Sequence, residues 1–317
     1  MALTEQARKI ADAAAASFPA LGTTVLDAAT ARRMLAARPA PAEDVVPVAQ
    51  ITDRNIPGPA GERLPVRIYR PDSDETSLPA VVFYHGGGFV ICDVDSHDQF
   101  CRIMANETGM LVVAVDYRRA PEHPFPAAVE DADTALRWVA RHNTEIGADP
   151  QRIAVAGDSA GANLAATVSV RAAQRGGPRL AAQVLLYPML DPARDTQSHR
   201  DNAEGYFVTA DHLRWYWEQY LGPAGGNGQR YVSPLHYDTV AGAPRAHIVT
   251  AEHDPLRDEG EAYAARLRAD GVTARIDRYD GMFHGFATLT GQLPEADEAA
   301  TAVFATLRAA TANNPAC

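Results

Sequence analysis

Cysteine is scarce in this chain of 317 residues: there are three, Cys92, Cys101 and Cys317. They have neither the paired spacing of a zinc site nor the density of a disulfide framework, so neither metal nor disulfide is expected to organise the fold. A reducing compartment is the simplest fit. Positive charge is also short, with 29 Lys and Arg against 40 Asp and Glu and a net charge of −11. That balance leaves no basic footprint for a nucleic acid. No run of 18 apolar residues occurs, so no membrane span is expected. The first ten residues carry Glu5, Arg8 and Lys9 before a short alanine run, without the longer apolar stretch of a secretion signal. The expectation is a cytoplasmic protein. Neither glycine cluster has the G-x-x-x-x-G-K-[ST] spacing of a phosphate loop. Internal repeats and low-complexity linkers are absent too.

What the chain has in quantity is apolar sequence, at 46% of residues, enough to fill a large core. Residues 4–16 and 24–37 read as two alanine-rich helices, the second stopped by Pro39 and Pro41. Residues 44–53 and 62–70 alternate like paired strands, with 56–61 as their turn. Apolar runs at 80–85, 111–117, 152–157, 183–187, 246–251 and 274–279 then alternate with helical patterns. Strands that are apolar throughout and separated by helices predict an α/β fold, with a mostly parallel sheet covered on both faces.

Two glycine motifs carry the chemistry. Gly157-Asp158-Ser159-Ala160-Gly161 follows the run Ile153-Ala154-Val155-Ala156 and opens an alanine-rich helix. A serine at such a strand-to-helix turn is exposed beside a helix N-terminus, and its small neighbours admit a strained backbone. Alone this is a weak signal. The second motif is His85-Gly86-Gly87-Gly88, after the strand Ala80-Val81-Val82-Phe83. Three glycines add nothing to packing, but they free main-chain N–H groups to meet a developing oxyanion. The expected donors are the amides of Gly87, Gly88 and Ala160.

After a nucleophile elbow the order along the chain is Ser, then Asp or Glu, then His. Asp254 follows the strand 246–251, where active sites of open α/β sheets lie. Glu252 and Asp258 are within a turn of it and remain alternatives; Asp258 can also stabilise the first turn of the next helix. Of ten histidines only His284 follows Asp254, so the order selects it. His85, Gly86, Glu122 and Asp158 are read as supporting residues: His85 as shaping the loop, Asp158 as pairing with loop groups, and Glu122 as bonding the elbow or the oxyanion loop.

Residues 191–230 break the alternation and are too long for a simple crossover. Thr209 can cap a helix from Ala210 that holds Trp215 and Trp217. One reading packs Trp215 and Tyr216 on the core. The other makes the segment a lid, joined by the N-terminal helices and free to move through the run Gly222-Pro223-Ala224-Gly225-Gly226-Asn227-Gly228. In that case Phe89, Tyr206, Phe207, Trp215 and Phe286 line an acyl pocket. The expected organisation is thus cap helices in 1–44, a catalytic core in 45–190 and 231–317, and a cap insertion in 191–230.

Taken together, these motifs with Asp116-Tyr117-Arg118, Ala120-Pro121-Glu122-His123-Pro124-Phe125-Pro126, Asp254-Pro255-Leu256-Arg257-Asp258-Glu259 and His284-Gly285-Phe286 resemble the hormone-sensitive-lipase-like bacterial esterases with Gly-Asp-Ser-Ala-Gly at the elbow. The resemblance spans about two hundred residues of the chain. It implies an α/β-hydrolase fold with a helical cap and hydrolysis of short-to-medium acyl esters without metal or organic cofactor. It further implies a homodimer through residues near 274–310. The implied partner is a small-molecule ester, hydrolysed through an acyl-enzyme on Ser159 with His284 as base and Asp254 as its orienting acid. A related acyl hydrolase (amidase, thioesterase or lactonase) would use the same residues. A small-molecule receptor of the same fold is the non-catalytic alternative, and the presence of His284 argues against it.

Overall fold

The computed structural model describes residues 2–37, 45–223 and 232–312. The expected helix stop at 38–41, the glycine run at 225–228 and Cys317 lie outside them. Eight strands form one sheet: β1 (Gln50–Pro57), β2 (Arg63–Arg70), β3 (Leu78–Tyr84), β4 (Leu111–Val115), β5 (Ala148–Asp158), β6 (Gln183–Leu186), β7 (Ala246–His253) and β8 (Ala274–Phe283). Their order across the sheet is β1-β2-β4-β3-β5-β6-β7-β8. The pairs β1–β2 and β2–β4 are antiparallel, and the remaining pairs are parallel.

Helices supply the layers. They are α1 (Glu5–Ser17), α2 (Ala28–Ala36), α3 (Asp98–Thr108), α4 (Ala127–Arg141), α5 (Asn143–Ile146), α6 (Ala160–Gln174), α7 (Gln197–Asp201), α8 (Ala210–Leu221), α9 (Arg257–Ala269) and α10 (Pro294–Thr311). Successive side chains of a strand point to opposite faces. Accordingly Val82 and Tyr84 of β3 join a core with residues of α4, α6 and α9, while Val81 and Phe83 join a second core with α1, α3 and α10. This two-sided burial is why the central strands are apolar throughout rather than alternating. Among the described residues no helix is long and apolar enough to cross a membrane.

The sheet agrees with the predicted alternation, with differences at element ends. The first strand begins at Gln50, not near residue 44, and runs through Pro57, so its turn starts at Gly58. A proline is tolerated there because β1 is the sheet edge and needs no further amide donor. The second helix starts at Ala28, because the Asp27 side chain accepts the Thr30 amide and caps it. Helix α8 begins at Ala210 with Thr209 as cap, and His212 returns the bond to the Thr209 amide.

Before α2 the chain packs on α8: the Trp215 Nε1–H donates to the Leu26 carbonyl at 2.9 Å, and the Phe18 and Phe207 rings meet edge-on at 5.2 Å. On the other side Arg8 of α1 donates to the Gly205 carbonyl at 2.8 Å and covers the Tyr206 ring. The segment after β6 is thus tied to both ends of the N-terminal region.

The tightest packing in the sheet lies under α6. A Cβ on Gly161 would stand 1.9 Å from the Tyr84 carbonyl oxygen, and one on Gly157 would stand 2.4 Å from Gly161. The backbone cannot retreat, since both strands are internal. Gly161→Ala is therefore expected to cost about 3 kcal/mol or more, the upper end of core over-packing. Urea unfolding monitored by circular dichroism checks this; a loss under about 1 kcal/mol contradicts it.

Candidate active site

Ser159 closes β5 with φ 53° and ψ −117°, a left-handed conformation that a serine rarely adopts. The turn is held from every side. Its amide donates to the Leu186 carbonyl at 2.8 Å, and its carbonyl accepts the amides of Ala162, Asn163 and Met189. The reversal lifts the hydroxyl off the end of β5 and points it toward the chain that follows β8.

His284 follows β8, and its Nε2 lies 3.0 Å from Ser159 Oγ. Its Nδ1 lies 2.7 Å from Asp254 Oδ2. Asp254 has no exposed surface, and its other oxygen accepts the Leu256 amide at 2.8 Å. A fully buried carboxylate is tolerated only when paired, and here both oxygens are satisfied. With Asp254 accepting from Nδ1–H, the imidazole presents its Nε2 lone pair to the hydroxyl. The competing acids are committed elsewhere. Asp258 pairs with Arg257 and accepts the Ser198 amide, while Glu252 accepts the Gly281 amide.

The loop after β3 brings the second half of the site. Gly87 and Gly88 have φ of 105° and 61°. The amides of Gly87, Gly88 and Ala160 meet no acceptor among the described residues. A Cβ on Gly88 would fall 2.2 Å from the Tyr216 ring, so helix α8 lies directly on this loop. Gly86 donates its amide to Asp158 Oδ1 at 2.7 Å, fastening the loop to the residue before Ser159. His85 is buried, its ring stacked on Tyr117 at 4.3 Å and its Nδ1 2.7 Å from the Gly86 carbonyl. Burial pushes its pKa down to about 3, so it is a neutral spacer in the loop.

Several expected positions fall differently. Glu122 reaches neither the elbow nor the oxyanion loop. It holds Arg32 of α2 through two bonds of 2.8 and 2.9 Å, and Arg32 donates to the Val90 and Ala120 carbonyls. Its hold on the loop runs through a residue with no sequence signature. Phe89 and Phe286 have no exposed surface and Trp215 only 2%, so these three are not pocket walls. Phe89 stacks on Tyr220 at 3.7 Å, Phe286 packs near Tyr187 and Tyr279, and Trp215 packs on the core. Tyr206 and Phe207 are half-buried; the Tyr206 ring stacks on His253 at 4.5 Å.

Tyr216 joins the core as one sequence reading has it, and it also covers Gly88; Arg32 and His97 have no sequence signal, because a lone arginine or histidine carries no motif of its own. Cavities of 560 and 550 Å³ lie away from the triad; the larger opens at the amino ends of β5 and β7, the opposite end of the sheet from Ser159. Among the described residues no three His, Cys, Asp or Glu side chains group as a metal site.

Comparison with known proteins agrees with this geometry. Residues 81–288 match the alpha/beta hydrolase fold family. Esterase LipI of Mycobacterium tuberculosis is 40% identical over 86% of this chain and 85% of its own length. Ethyl acetate hydrolase of Pseudomonas putida is 37% identical over 81% of this chain and 82% of its own. The solved hyperthermophilic esterase of the archaeon Pyrobaculum calidifontis superposes with a TM-score of 0.89 at 40% identity, covering 98% of this chain and 99% of that one.

The acid assignment is testable by kinetics. Asp254→Asn leaves the shape but reverses the hydrogen bond to His284, and kcat is expected to fall by about 10⁴. Glu252→Gln and Asp258→Asn are expected to change kcat by less than about tenfold. A larger loss in either of those two than in Asp254→Asn contradicts the assignment.

Proposed function

The chain belongs to the α/β-hydrolase family, in its branch of hormone-sensitive-lipase-like carboxylesterases, and on that premise we propose that Ser159 is the nucleophile of a carboxylic ester hydrolase acting on short-to-medium acyl esters. The observation that carries this reading is the unbroken line from Ser159 Oγ through His284 to buried Asp254, with bonds of 3.0 and 2.7 Å.

In the first half-reaction the Ser159 oxygen attacks the ester carbonyl carbon while His284 Nε2 takes its proton. The carbonyl π pair moves to oxygen, and the amides of Gly87, Gly88 and Ala160 receive that oxyanion. Asp254 stabilises the imidazolium and fixes its tautomer. As the tetrahedral species collapses, the proton passes to the departing alkoxide and an acyl-enzyme remains. Water then attacks with His284 as base and releases the acid. Each oxyanion donor in such a site contributes about 2.7–4 kcal/mol to the transition state.

Preference for short chains is supported by the relative named for ethyl acetate and by α8, whose Tyr216 closes over Gly88. The contacts between the N-terminal region and α8 support a cap built from residues 1–44 and 191–230 over a core of 45–190 and 231–317, of which 1, 38–44, 224–231 and 313–317 lie outside the described residues. Strand β8 is last in the sheet order among the described residues, which supports a homodimer through 274–310. A cytoplasmic location completes the proposal, resting on the scarcity of cysteine.

Hydrolysis of p-nitrophenyl esters of increasing acyl length tests the reading. The protein should turn over acetate to octanoate esters and fall off at longer chains, and Ser159→Ala should lower kcat by about 10⁶. Turnover retained in Ser159→Ala, or a preference for long acyl chains, contradicts it.

A further inference from the structure

The loop Ile91–Ser96 and the start of α3 place one histidine beside the active site that the mechanism does not use. His97 Nε2 lies 3.0 Å from Asp158 Oδ1, the same oxygen that accepts the Gly86 amide at 2.7 Å. Asp158 immediately precedes Ser159, and Gly86 immediately precedes the two glycine donors. One carboxylate therefore joins the nucleophile turn to the oxyanion loop, and one imidazole holds that carboxylate. Both side chains are mostly buried, at 11% and 9% exposure.

A buried carboxylate one residue from the nucleophile is also an electrostatic problem. An unpaired anion there would repel the oxyanion that forms in the transition state. Among the described residues its ion-pair partner is His97, which can cancel that charge. We propose that His97 is a positioning residue for the oxyanion hole: protonated, it neutralises and orients Asp158, which in turn sets the Gly86 amide and the Gly87 and Gly88 donors behind it. This inference rests on Ser159 as nucleophile.

The surroundings of His97 agree with a charged ring. Its Nδ1 faces Ser96 Oγ at 3.0 Å, and Asp93 of the same loop lies beside it. From the loop after β3 it faces His85, at 5.7 Å between ring centres, and from β3 itself the Phe83 ring at 6.0 Å. His85 is neutral above its pKa of about 3 and adds no competing cation. Arg119, from the loop after β4, reaches Asp93 rather than Asp158, at 3.9 Å. Burial holds the nearby Cys92 thiol neutral, pushed up to about 12, and raises Cys101, Tyr117 and Tyr187 as well. Burial opposes the charge on His97, but Asp158 outweighs it and raises its pKa above the usual value. Burial likewise opposes the charge on Asp158, which His97 and the Gly86 amide outweigh, so its pKa is lowered. A histidine raised above its ordinary value loses its proton only as pH climbs through that raised value, so the linkage fails on the alkaline side.

The test compares His97→Phe and His97→Gln with the unaltered protein. It reads kcat and KM on p-nitrophenyl acetate, the pH profile from 6 to 10, and affinity for an aryl trifluoromethyl ketone. That ketone accepts the Ser159 oxygen at its carbonyl carbon and leaves an alkoxide in the oxyanion hole, its proton passing to His284. His97→Phe should lower kcat and ketone affinity together by about 10- to 100-fold with KM unchanged. His97→Gln keeps a neutral donor, so it should recover part of kcat and lose the alkaline decline of the unaltered protein. Equal ketone affinity in all three proteins, or the same alkaline decline in His97→Gln, overturns the proposal. If His97→Phe does not fold, the His97→Gln profile decides. Failure of the nucleophile reading is distinct: the unaltered protein itself would then not bind the ketone.

Discussion

Everything at this site hangs on one strained residue. Ser159 holds a left-handed backbone that costs on the order of 1–3 kcal/mol, and it persists because the surrounding packing leaves no alternative. Tyr84 and Gly157 crowd the turn from below, Leu186 takes its amide, and three amides converge on its carbonyl. The glycines at 157 and 161 are consequences of that crowding, since neither position has room for a Cβ. The sheet order supplies the rest. With β5 between β3 and β6, the loop after β3 and the chain after β6 both flank the turn, and the acid and the base come from the ends of β7 and β8.

Two buried carboxylates stand close to the serine, and they are handled alike. Asp254 bonds an imidazole nitrogen and the Leu256 amide; Asp158 bonds an imidazole nitrogen and the Gly86 amide. A desolvated carboxylate needs both a partner charge and hydrogen bonds to be tolerated. The two differ in what the histidine faces. His284 looks outward to Ser159, where a proton can move. His97 is enclosed by Phe83, His85 and its own loop, where its proton is kept. A third acid, Glu259, is buried with only backbone amides, those of Leu190 and Asp191, and burial raises its pKa well above the usual carboxylate value. Through those two amides it braces the chain after β6.

Much of this was legible in the sequence because it is local or ordered along the chain. The central strands show as unbroken apolar runs, the Thr209 cap sits one residue before its helix, and the order Ser, Asp, His leaves a single histidine to choose. The edge strand was misplaced at its start because alternation continues into residues that carry no pairing. The pocket aromatics failed for a different reason. Phe89, Trp215 and Phe286 look like a lining because they are large and near the motifs, yet helix packing turns all three into cores. Conversely Tyr216 covers Gly88, and Arg32 carries the hold of Glu122 on the loop, through contacts between residues 58 to 128 positions apart that no spacing rule encodes.

The central claim is that Ser159 alone among the serines is a nucleophile, made so by its turn and its histidine. Mass spectrometry after exposure to diethyl p-nitrophenyl phosphate tests it most directly. One diethylphosphoryl group on the peptide containing Ser159, with p-nitrophenolate released in equal amount and ester hydrolysis abolished, is the predicted result. An adduct on another residue, or hydrolysis that continues with Ser159 unmodified, would contradict the account.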